Sequence, residues 1–112
     1  MKKHIILLFL IVPLFTFGQE SVSKDYYENG NKLSEVHYKN GKRNGLWIQY
    51  WKNGKVWGKG WYKDGKQNGL WTNYYENGQI KSQSSFDNGK RNGALIFYNK
   101  DGSISEGIND GC

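Results

Sequence analysis

The chain is 112 residues long with a formal net charge of +6, one cysteine, two histidines and fifteen glycines. That length holds one domain. The single cysteine, Cys112, excludes an internal disulfide, and no Cys/His cluster has the spacing of a metal site. The basic excess suits an acidic protein, an acidic glycan or an anionic lipid surface, and equally suits plain solubility.

The first segment in chain order is residues 1–18. Lys2 and Lys3 precede an apolar run from Ile5 to Phe15 broken only by Pro13, and Thr16-Phe17-Gly18 places small residues before Gln19. This is the anatomy of a secretory signal peptide. The run is well short of the roughly 20 residues of a spanning helix. No cysteine follows it to carry a lipoprotein anchor. Export through the Sec pathway, to the periplasm, envelope or exterior, is therefore expected. Loss of Lys2 and Lys3 would lower the net charge to +4. The expected organisation is a signal peptide at 1–18, an N-terminal flank at 19–25, a repeat array at 26–104 and a C-terminal tail at 105–112.

The array shows itself by a step of 24 residues. Tyr26-Tyr27-Glu28-Asn29-Gly30 returns as Tyr50-Trp51-Lys52-Asn53-Gly54 and Tyr74-Tyr75-Glu76-Asn77-Gly78, and weakly as Tyr98-Asn99-Lys100-Asp101-Gly102. A second string, Tyr38 to Gly45, returns at Tyr62 to Gly69 and Phe86 to Gly93. A fixed period of this size marks stacked supersecondary units. Asn-Gly or Asp-Gly at 29–30, 40–41, 53–54, 64–65, 77–78, 88–89 and 101–102 predicts hairpin turns. Extra Asn-Gly pairs at 44–45, 68–69 and 92–93 are expected to lengthen every second turn. The aromatic and β-branched runs between turns predict seven or eight strands. The fold class is therefore all-β, an elongated antiparallel meander of stacked hairpins in a single sheet.

Strict alternation along a strand assigns the faces. Leu46, Ile48 and Tyr50, with Val56, Gly58, Gly60 and Tyr62, form the expected structural face. Trp47, Trp51, Trp57, Trp61, Trp71 and Tyr75 fall in the opposite set and are the candidate partner-binding residues, since flat aromatic surfaces supply much of the energy of protein interfaces. Lys39, Lys42, Arg43, Lys63, Lys66, Lys90 and Arg91 cluster at the turns expected to be longer and form a candidate basic rim. For catalysis the chain offers little. His37 is the one histidine after the signal segment, and the Asp residues of the turns have conformational reasons to be there. No catalytic residue, metal or cofactor is expected.

The pattern Tyr-x-x-Asn-Gly, then about seven residues, then Tyr-x-x-Gly-Lys-x-x-Gly-x-Trp resembles the variant MORN repeat. Gly45 to Gly54 is the clearest copy and Gly69 to Gly78 follows it closely. Gly93 to Gly102 departs, with Ala94-Leu95 in place of Leu-Trp and Asn99 in place of the second aromatic. The resemblance implies an elongated sheet of stacked hairpins that acts as a scaffold for protein contacts, with a link to membrane lipids. Small bacterial proteins of this variant are grouped as YwqK-type antitoxins of toxin–antitoxin systems. An exported member would be an envelope protein, or an immunity protein against a toxin acting outside the cytoplasm. The expected partner is a protein. A glycan or cell-wall polymer and an anionic lipid are the alternatives, with self-association open and nucleic acid disfavoured by the export signal.

Overall fold

The computed structural model describes residues 2–8 and 19–109. The cleavage site expected at Gly18, and Cys112, lie outside them. Eleven strands follow one another: β1 (Lys2–Leu8), β2 (Glu20–Tyr27), β3 (Lys32–Lys39), β4 (Lys42–Tyr50), β5 (Val56–Lys63), β6 (Lys66–Gln67), β7 (Gly69–Tyr74), β8 (Ile80–Asp87), β9 (Lys90–Arg91), β10 (Ala94–Tyr98) and β11 (Ile104–Asn109). They form one antiparallel sheet in chain order, with the short β6 and β9 pairing on β5 and β8. The segment read as a flank is most of β2, and much of the segment read as a tail is β11. The sheet thus extends beyond the expected array at both ends. Within the expected signal segment, β1 pairs with β2, Ile5 opposite Asp25 and Leu7 opposite Ser23.

The two kinds of turn are the reverse of the expected ones. At 40–41, 64–65 and 88–89 the loop is two residues long, and both residues hold positive φ: Asn40 54° and Gly41 79°, Asp64 50° and Gly65 85°, Asn88 54° and Gly89 89°. This is the mirror-image turn whose twist matches the flanking strands, and Asn, Asp and Gly tolerate it. The extra Asn-Gly pairs do not lengthen these turns: Asn44-Gly45 lies within β4, and Asn68-Gly69 and Asn92-Gly93 fall where β6 gives way to β7 and β9 to β10. The longer turns are Glu28-Asn29-Gly30 and its equivalents. There Gly30 N donates to Tyr27 O at 3.0 Å and Tyr27 N donates to Asn31 O at 2.8 Å. The Asn29 carboxamide accepts from Asn31 N at 2.9 Å, as do Asn53 from Lys55 N and Asn77 from Gln79 N.

Each longer turn is followed by a bulge. Asp25 faces Ser34, but Tyr26 faces Lys32, leaving Leu33 extra. Trp57, Lys81 and Ser105 are the extra residues at the next three hairpins. A bulge turns the extra side chain toward the side of its neighbour and breaks the alternation.

The sheet measures 48 × 38 × 15 Å, one layer thick. Among the described residues no apolar side chain is fully buried, and the only buried side chains are Thr72 and Ser82. Stability therefore comes from cross-strand pairs and contacts between neighbouring units, as repeat arrays require.

Candidate functional site

Register decides which residues share a face. Trp47 lies opposite Gly60, and Gln49 opposite Gly58. Trp71 lies opposite Ser84, and Asn73 opposite Ser82. The tryptophans thus stand over the small residues of the adjoining strands. The expected split, with tryptophans on one side and the Gly58/Gly60 set on the other, is corrected here. Period two holds along each strand, but which residues of two strands share a side is fixed by the hairpin register. Leu46 and Ile48 sit instead with Trp61 and Lys59 on the second face.

On the first face the rings form a continuous slab. Trp47 stacks on Trp71 with centroids 5.1 Å apart. Trp57, turned to this side by its bulge, meets Trp47 edge-on at 6.4 Å and Trp51 at 6.3 Å. Tyr62 and Phe86 close the slab on Trp71 at 5.2 and 6.2 Å. Offset-stacked and edge-to-face pairs like these are the geometries ring quadrupoles favour. The two glycines of β5 are spaces for this slab. A Cβ at Gly60 would fall inside the Trp71 indole, and one at Gly58 would stand 2.9 Å from Asn73 Oδ1.

Of the candidate partner-binding residues, the slab therefore unites Trp47, Trp51, Trp57 and Trp71. Trp61 is 50% exposed on the other face. Tyr75 is set apart, its ring flanked by Lys81 and Lys100 at 5.9 Å each and its hydroxyl donated to Tyr98 O at 2.7 Å. Sequence reasoning passed over Tyr62 and Phe86 as slab members. Only the hairpin register puts them there, by placing Gly45 opposite Tyr62 and Gly69 opposite Phe86.

Junctions between units are latched along the longer-turn edge. Tyr27 Oη donates to Tyr50 O at 2.7 Å, and Asn31 Nδ2 donates to Lys52 O at 2.8 Å. Tyr75 repeats the Tyr27 bond on Tyr98 O, and Asn77 Nδ2 donates to Lys100 O as Asn29 Nδ2 does to Lys52 O. At the central junction Trp51 occupies the latch position, and its buried Nε1 has no hydrogen-bond partner.

The residues of the expected basic rim share one end of the strands. Lys39, Lys42, Arg43, Lys63, Lys66, Lys90 and Arg91 all lie at or beside the two-residue turns. Lys39 pairs directly with Lys42, and Lys63 with Lys66. Arg43 stands over the Tyr62 ring at 5.3 Å. On the second face, Glu35 receives Lys32 at 3.1 Å and His37 at 2.9 Å. Burial pushes the Glu35 carboxyl up, but the hydrogen bonds from His37 and Lys32 prevail and hold it below the ordinary carboxylate range. The Glu35 hydrogen bond raises the Lys32 ammonium. Among the described residues no group of His, Cys, Asp or Glu is placed to hold a metal ion.

A one-layer all-β array of repeated hairpins joined edge to edge defines the class of this protein as a β-repeat. The profile of the MORN repeat variant family matches residues 19–40, 43–64 and 67–88, more than half of the chain. The chain belongs to that family, whose repeats are in general non-catalytic modules. No curated protein and no solved structure matches it.

Proposed function

We propose that this chain is a non-enzymatic scaffold of the cell envelope that docks a protein partner on its aromatic face, with an antitoxin or immunity role as the most specific form of that activity. The observation that carries the reading is the slab itself. Six rings lie in a connected cluster on one side of a sheet that, among the described residues, has no second layer. A globular domain covers such a face with helices or a second sheet; here that role falls to another molecule. Trp57, 38% exposed at its bulge, is the point of the slab most open to a partner. Wide apolar patches on soluble proteins mark interaction sites.

The test is site-directed photo-crosslinking in the native cell. A photoreactive phenylalanine at position 57 is expected to yield one discrete protein adduct, identified by mass spectrometry. The same group at the exposed turn residue Lys52 is expected to yield none. Absence of a protein adduct from position 57 under conditions where the chain is folded and exported would sink the proposal. Fractionation of the same cells checks the location: recovery of the chain only in the cytosol removes the envelope part.

A further inference from the structure

The rim carries a feature that the docking face does not use. Trp61 stands half-exposed on the second face beside a cleft of about 720 Å³, whose polar wall is Lys39, Asn40, Asn44, Lys63, Asp64 and Asn68. The backbone that carries the indole is held in place. The Trp61 carbonyl accepts from Asn68 N at 2.9 Å and from Trp71 Nε1 at 3.1 Å. The amides are oriented as well. Asn44 Oδ1 accepts from Asp64 N at 3.0 Å and Asn68 Oδ1 accepts from Asn88 N at 3.2 Å, so each presents its Nδ2 donors. The cleft thus combines one flat apolar platform, fixed amide donors, two ammonium groups and one carboxylate.

We infer that this cleft is a saccharide subsite and that its ligand is a linear, β-linked glycan bearing carboxylates. A pyranose ring has an apolar C–H face that packs on an indole and an equatorial fringe of hydroxyls that needs fixed donors and acceptors, the division this cleft offers. In the central cleft two ammonium groups, Lys39 and Lys63, outnumber the one carboxylate, Asp64, a balance that favours an acidic sugar. Lys39 faces Lys42, and Lys63 faces Lys66, across the two-residue turns, a like-charge arrangement that a carboxylate lying along the rim relieves. The cleft recurs at each unit but its indole does not, since His37 and Ser85 hold the place of Trp61. One unit earlier, His37, Tyr38 and Lys39 stand where Trp61, Tyr62 and Lys63 do, beside a cleft of about 310 Å³ that also carries the Glu20 carboxylate. One unit later, Asp87, Lys90, Arg91 and Asn92 line a third of about 400 Å³. The step between units is two strand spacings, ~9.6 Å, close to the length of two rings in an extended β-linked chain. Successive disaccharides therefore come into register with successive clefts, with Trp61 as the central platform.

The cleft meets the aromatic face only at Tyr62, on the slab's edge, and its platform Trp61 lies on the other face, so the Trp61 and Trp57 variants tell the two proposals apart. The experiment is calorimetric titration of the full chain with a hyaluronan octasaccharide, with chitohexaose as the neutral sugar and polyglutamate as a polyanion without sugar rings. The Trp61 indole N–H resonance is followed in parallel by NMR. Hyaluronan is expected to bind more tightly than chitohexaose and to shift that resonance. Trp61→Ala is expected to weaken binding by about tenfold or more, while Trp57→Ala, on the other face, leaves it unchanged. Lys63→Gln is the second variant. It keeps the platform and is expected to narrow the preference for hyaluronan over chitohexaose. No saccharide binding, or polyglutamate binding as tight as hyaluronan with the Trp61 resonance unmoved, would overturn the assignment.

Discussion

The outer and central junctions of this array solve one problem in two ways. Where β3 hands over to β4, and β8 to β10, a tyrosine of the preceding hairpin reaches across and donates to a carbonyl 23 residues on, at 2.7 Å in both cases. Where β5 meets β7, the latch position holds Trp51, whose Nε1 is buried without a partner. That junction is held by the Trp47–Trp71 stack over Gly60. Hydrogen bonding and ring packing are thus interchangeable at one position of the repeat. The exchange concentrates the large rings at mid-array, where the aromatic face is broadest.

The largest expected effect comes from closing the space the central junction depends on. Gly60→Val puts side-chain atoms where the Trp71 indole lies, and overpacking of this kind costs about 3 kcal/mol. Chemical denaturation should show the loss, and near-UV circular dichroism should lose the signal of the stacked indoles. An unchanged midpoint would mean the stack is not what holds the junction. Next is transplanting the central solution to an outer junction. Tyr75→Trp removes the bond to Tyr98 O and leaves a buried donor unpaired, with Lys81 in place of the Trp57 edge, a combined cost of about 2 kcal/mol. Stability equal to wild type would show that the latch is dispensable.

Tyr75→Phe sharpens the comparison by deleting only the hydroxyl, and should cost about 1 kcal/mol by the same denaturation assay. The smallest effect is acid sensitivity at Glu35. Its carboxyl is held below the ordinary range in the folded chain, so its contribution is present above about pH 4.5 and is lost as pH falls through the lowered folded value. Lys32 has the opposite sign: its contribution holds below about pH 10.5 and fades as pH rises through its raised value. Glu35→Gln should flatten the thermal midpoint at both extremes, and a profile parallel to wild type would remove the pair from the account.

Much of the fold was legible before any coordinates. The 24-residue step, the Asn-Gly and Asp-Gly pairs and the aromatic runs are local features, and they specify a single antiparallel meander because each turn residue and each strand residue acts over a few bonds. The candidate site was legible only as a list. Trp47, Trp51, Trp57 and Trp71 come together, while Trp61 and Tyr75 do not. Alternation cannot cross a bulge: Trp57 and Lys81 change sides there, and Val56 joins Tyr50 on the second face. The turns misled for a related reason. Asn44-Gly45 looks like a turn pair, yet Gly45 holds its positive φ of 104° inside β4.

The sequence by itself determined the repeat, the chain-order meander and the positions of the turns, because periodicity and turn chemistry are written in neighbouring residues. Only the tertiary structure decided which rings share a face, which latch closes and where Trp61 stands apart. Those outcomes depend on residues paired across strands, and a single inserted residue at each hairpin moves a side chain from one side of a 15 Å sheet to the other.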